Sequence, residues 1–98
     1  MAHWKRKTQE REGNYFFSGQ FYATSGVAAE LTADEILGIY WDTKMFAQEK
    51  EGIDYLQVYT DENGRKLFFI DQLSQEMIES DNFENEDNHC TLMFANEY

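Results

Sequence analysis

Two β-rich runs on either side of a turn dominate the pattern of apolar and polar positions. From Ile53 to Asp71 the chain reads IDYLQVYTDENGRKLFFID. In the first run Ile53, Tyr55, Gln57 and Tyr59 share one strand face and Asp54, Leu56 and Val58 the other, so neither face is wholly polar. In the second, Leu67 to Ile70 is a continuous apolar stretch of strand length, the pattern of a central strand covered on both sides. Between them Asn63-Gly64 predicts a two-residue type I′ turn, because both residues tolerate the positive φ it requires. That loop sets Glu62 opposite Arg65. A lone hairpin is marginal in water, so it needs partners elsewhere in the chain.

Residues 15–24, YFFSGQFYAT, read as a strand with a kink or bulge at Gly19. Ser25-Gly26 breaks the run, and Val27 to Leu31 fits either a helical turn or a strand. Thr32-Ala33-Asp34-Glu35 is a capping box, which predicts a main helix from Ala33 to Gln48 or Glu49, ended by Gly52. Ile36, Leu37, Ile39, Tyr40 and Ala47 form its apolar side, while Asp34, Asp42 and Glu49 can face water. Trp41 and Phe46 fall off that narrow stripe, so they either widen the buried face or mark an exposed contact. Gln72 to Glu79 carries a weak helical pattern, Ser80 to Asn88 reads as an acidic loop, and His89 to Phe94 alternates as a final strand.

These elements predict an α+β domain over residues 14–98. A small antiparallel sheet of about four strands (15–24, 53–59, 65–71 and 89–94), with the 53–71 hairpin at its centre, packs on the main helix at about 33–49. Residues 1–13 are polar, basic and without periodicity, and are expected to form a mobile basic arm.

Composition adds limits. The chain's 98 residues suffice for one core, and 16% aromatic content is too apolar for a disordered chain. No run approaches the length of a membrane span, and the start, MAHWKRKTQEREG, lacks the apolar stretch of a secretory signal. A soluble, cytoplasmic protein with no membrane partner is expected, and the single cysteine, Cys90, fits a reducing compartment. Charge is uneven: Lys5, Arg6, Lys7 and Arg11 supply half of the basic residues, and from residue 12 onward 18 acidic residues face 4 basic ones, a net of −14. Such a body repels a phosphate backbone, which excludes direct nucleic-acid binding by the folded part and favours a protein partner with a basic surface.

Few residues offer chemistry. His3, His89 and Cys90 are too few to build a zinc site, and His89 and Cys90, adjacent in a strand, point to opposite faces. The six glycines are isolated, so no phosphate loop exists. Asp81, Glu84, Glu86 and Asp87 fail the calcium-loop pattern, with Phe83 at the third position and Glu86 where glycine is needed. No catalytic residue, metal or cofactor is assigned, and a non-enzyme is expected.

The tail NHCTLMFANEY, together with FYATSGVAAEL and DYLQVYTDENGRKLFFID, resembles a group of small bacterial proteins associated with plasmids and phages. Members of that group show an ATPGAL segment, a helical middle, a hairpin with a strongly apolar second strand, and a terminal strand ending in Glu-Tyr. Here Ala23-Thr24-Ser25-Gly26-Val27, with Ser25 in place of the proline, stands for the first and Glu97-Tyr98 for the last. The resemblance implies an α+β fold and a mobile-element setting, and it names no site.

Two functions fit these residues. In one, an acidic surface of Asp61, Glu62, Glu76, Glu79, Asp81, Glu84, Glu86 and Asp87 occupies the basic groove of a nucleic-acid-binding protein, as anti-restriction and anti-CRISPR nucleic-acid mimics do. In the other, a structural or regulatory module binds a partner, or a second copy of itself as a homo-oligomer, through an apolar patch of Tyr40, Trp41 and Phe46.

Overall fold

The computed structural model describes residues 3–72 and 88–98. The elements run β1 (Trp4–Arg6), β2 (Gln20–Ala23), α1 (Ser25–Glu30), α2 (Ala33–Lys50), β3 (Leu56–Asp61), β4 (Lys66–Asp71), β5 (His89–Phe94) and a 3-10 turn at Ala95–Glu97. One sheet packs on one main helix, as the α+β pattern predicts. The expected four antiparallel strands are instead five in mixed orientation, ordered β1-β3-β4-β5-β2. Strand β2 runs parallel to β5, and the other neighbouring pairs are antiparallel.

The added strand comes from the expected arm. Trp4 is only 2% exposed, and its register partner on β3 is Asp61. Two residues on, the Arg6 guanidinium lies 3.6 Å from the centroid of the Phe46 ring. Alternate side chains with apolar bodies thus bury one side of a three-residue strand, and its edge carries lysines, which discourage further pairing. The chain then stays attached, because Gln9 Oε1 accepts hydrogen bonds from Asp54 N and Gln57 Nε2, each at 3.0 Å. The sequence hides this: charged neighbours outnumber the one aromatic that inserts.

The expected strand at 15–24 is shorter. Tyr15 forms an isolated bridge with Ile53, and the strand proper begins at Gln20. Between them Phe17 takes a left-handed conformation, φ 53°, and is fully buried. Gly19 passes so close to Asn88 that a Cβ there would sit 2.5 Å from the Asn88 carbonyl oxygen. The ambiguous stretch after Ser25 is helical, with Thr24 accepting from Val27 N at 3.3 Å.

The capping box of α2 forms as read. Thr32 Oγ1 accepts from Glu35 N at 3.1 Å, and Glu35 Oε1 accepts from Thr32 N at 3.0 Å. The helix continues to Lys50, then Glu51 turns left-handed and Gly52 N donates to Ala47 O at 2.9 Å.

The hairpin forms with a different turn. Thr60 pairs with Lys66, so Asp61 rather than Glu62 stands opposite Arg65, and the loop is Glu62-Asn63-Gly64. Gly64 has φ 83° while Asn63 is not left-handed, the pattern of a three-residue loop ending in a glycine bulge. Asp61 decides between the two turns. Its Oδ1 accepts from Asn63 N and Arg65 N, and its Oδ2 from Arg65 Nε at 2.7 Å. Closing the turn one residue earlier moves the register by one.

Strand β4 is central, as its apolar run predicts. Helix α2 contributes Ile39 and Ala47 to a core shared with Trp4, Tyr59, Leu67, Phe69, Cys90 and Leu92. Phe69 holds the middle, with Phe17 and Phe21 rings at 4.8 and 5.5 Å between centroids.

Candidate functional site

Helix α2 is apolar on two sides. Ile36, Ile39, Tyr40, Thr43 and Ala47 lie toward the sheet, where each is buried or half-buried. On the opposite side Leu37, Trp41 and Met45 are 50%, 57% and 68% exposed. Their four-residue spacing sets them one above another as a single ridge along the helix. Three large apolar side chains in line on the outer face of an 18-residue helix stand outside the buried core and leave half or more of their surface to solvent.

The ridge shares only Trp41 with the patch expected from the sequence. Tyr40 is half-buried, with its ring 4.7 Å from Phe21 and 5.3 Å from Trp41, so it supports the indole from below. Phe46 lies on another side of the helix, beneath Arg6. Leu37, assigned to the core stripe by sequence, faces out, and Met45 joins it. The signal that finds both is the repeat Leu37-Trp41-Met45, equal in period to the core stripe and indistinguishable from it without the sheet.

Of the expected acidic surface, Asp61 and Glu62 fall among the described residues. Glu62 is exposed at the hairpin tip, beside His3 at 3.0 Å. Asp61 is not available: its side chain is 1% exposed and bound to Arg65. Burial raises its pKa, but the Arg65 hydrogen bonds outweigh that and hold the carboxyl below the usual range. Glu76, Glu79, Asp81, Glu84, Glu86 and Asp87 lie outside the described residues, as does all but the first residue of the helical pattern read at Gln72 to Glu79.

A polar chain links β1, β3 and α2 behind the ridge. Thr43 Oγ1 and Tyr59 Oη are 2.6 Å apart, Tyr59 Oη donates to Asp42 Oδ2 at 2.8 Å, and Arg6 Nε donates to the same oxygen at 3.1 Å. Burial raises the Tyr59 phenol far above its ordinary value, so it stays protonated and acts as a tie between elements. Burial also pushes the Cys90 thiol up to about 12, which makes it a poor nucleophile. Among the described residues no three His, Cys, Asp or Glu side chains are arranged to hold a metal ion.

A groove of about 620 Å³ runs between α1, the hairpin tip and the 3-10 turn, lined by Ala29, Glu30, Arg65, Lys66, Phe94 and Glu97 among others. Three of its charges are engaged. Arg65 binds Asp61 and approaches Glu30 at 3.7 Å, and Glu97 accepts from Phe94 N and Thr24 Oγ1. The arrangement reads as a hairpin tip braced against the helices.

No helix among the described residues is long and apolar enough to cross a membrane. Comparison of the chain with protein families, with curated proteins and with solved structures gives no match.

Proposed function

We propose that the chain is a non-enzymatic interaction domain that engages a protein through Leu37, Trp41 and Met45 on the outer face of α2. The exposure of this ridge is the observation that carries the proposal. Burying an aromatic in an interface contributes more than most other contacts, and Trp41 stands at the ridge's centre, where binding energy concentrates. The cytoplasm and a plasmid or phage origin are the setting we assign to it.

The test is capture from the source cell's lysate with the tagged protein and with a Trp41→Glu, Met45→Glu variant, washed at low and then high salt. A protein retained by the wild type through both washes and absent from the variant supports the reading. Equal capture by both would end it.

A second reading rests on net charge. At −11, with Glu62 exposed at the hairpin tip, the molecule can act as a nucleic-acid mimic toward a basic groove. Its mark is release by salt, since exposed ion pairs are screened within about 10 Å at 0.1 M while apolar contact is not.

A further inference from the structure

We infer that the open edge of β2 takes an extended segment of a partner protein as a further strand, a segment with apolar side chains at alternate positions and basic residues at its ends. This edge is a different surface from the ridge of α2, and either can fail without the other. Strand β2 is outermost in the sheet, with β5 on one side only. Gln20 N donates to Asn88 O at 3.0 Å, and Thr24 N donates to Leu92 O at 3.1 Å. Successive residues of a strand point their backbone groups to opposite sides, so the N–H and C=O groups of Phe21 and Ala23 face away from β5. Among the described residues no hydrogen bond reaches these groups.

The two edges of the sheet are unlike. Strand β1 spans three residues and carries Lys5, with Lys7 directly after it. From Gln20 to Thr24, by contrast, the chain has neither charge nor proline, two of the devices that keep an edge from pairing. Another extended backbone is what satisfies such a row, because outward-facing residues two apart repeat at roughly 7 Å along any strand.

The neighbours of the edge set the chemistry of the segment. On the α2 side its side chains come beside Phe21 and Tyr40, whose rings are 4.7 Å apart, which calls for apolar residues at alternate positions. Charge sets the ends. The chain carries −11, so basic flanks are attracted, whereas a second copy of the chain brings another −11 for a pairing of four residues.

Selection of random short peptides displayed on phage against the immobilised protein tests this, followed by N-methylation of each selected peptide one residue at a time. Expected are peptides with alternating apolar residues and basic ends that lose about tenfold in affinity when N-methylated at every second position and little in between. Binding should also slow hydrogen exchange at the Phe21 and Ala23 amides, and Ala23→Pro, which removes an outward N–H that the β5 ladder does not use, should weaken it by a similar factor. No enriched peptide, binding indifferent to N-methylation at every position, or Phe21 and Ala23 amides that exchange as before overturns the inference. A dimer in sedimentation equilibrium that is lost in Ala23→Pro would overturn the partner segment in favour of a second copy. The exchange and N-methyl measurements use the wild-type chain, so they decide even where Ala23→Pro loses the fold.

Discussion

The indole N–H of Trp4 donates to Glu35 Oε2 across 2.9 Å, which ties β1 to the first turn of α2. Glu35 uses its other oxygen to close the capping box, and one carboxylate thereby serves two elements. Because Trp4 is also nearly fully buried, Trp4→Ala is expected to cost about 3–5 kcal/mol, the range for emptying a large aromatic site. Deleting residues 1–6 should cost at least as much. Urea unfolding midpoints decide it, and a deletion that leaves the midpoint unchanged would mean a free arm after all.

Acid should separate wild type from Asp61→Asn. The folded pKa of Asp61 is held below its ordinary 3.8, so its charge stabilises the fold above that value, and this contribution is lost as pH falls through the lower, folded value. Glu35 behaves likewise below 4.5, mainly through the hydrogen bond from Thr32 N and then through that from Trp4. The expected outcome is a stability gap between wild type and Asp61→Asn that is full at pH 7 and closes below about pH 4. Unfolding midpoints measured at pH 7, 5, 4 and 3 check it, and a gap that stays constant through the series would refute it.

How much of this was legible follows from particular residues. The capping box at Thr32 and the apolar run at Leu67 to Ile70 are local signals, and both elements form where local chemistry puts them. The turn at Asn63-Gly64 is also local, but a more distant competitor in Asp61 overrides it by accepting two backbone N–H groups. Strand β1 and the parallel pairing of β2 depend on contacts across the chain, Trp4 with Glu35 and Gln20 with His89, which no window of neighbouring residues contains. The ridge was half legible: Trp41 stands out by size, whereas Leu37 and Met45 are apolar helix positions like any in the core.

Phe17 holds a left-handed backbone with both of its polar groups engaged by side chains. Its N–H donates to Asp71 Oδ2 at 3.1 Å, and its carbonyl accepts from Lys44 Nζ at 3.3 Å. A bulky residue at positive φ persists only when its surroundings enforce it. Asp71→Ala leaves the buried Phe17 N–H without this acceptor, at a cost of about 1–3 kcal/mol, while Asp71→Asn keeps an oxygen in place and should cost less. Thermal unfolding of the two variants gives the order, and equal losses would show that charge, not the acceptor, is what Asp71 supplies.

Cys90 is buried between β4 and β2, and its thiol is pushed up to about 12 by burial first and by Asp71 second. A thiol-specific disulfide reagent at pH 8 should therefore leave the folded protein unmodified and react with its single cysteine once denaturant is added. Rapid modification of the folded protein would show that the strand pair opens readily at this edge of the sheet.

The last expectation separates the two apolar sides of α2. Ile39 faces the sheet and is fully buried, so Ile39→Ala should lose about 2–5 kcal/mol. Trp41, two positions on and far larger, is 57% exposed, so at dilute concentration Trp41→Gln should stay within roughly 0.5 kcal/mol of wild type. The contrast runs against residue size, which is why it is informative: only the side of the helix each residue occupies can produce it. Urea unfolding at low protein concentration measures both. A large loss from Trp41→Gln would mean that the indole works inside the fold, and the ridge would then cease to be a surface available to any partner.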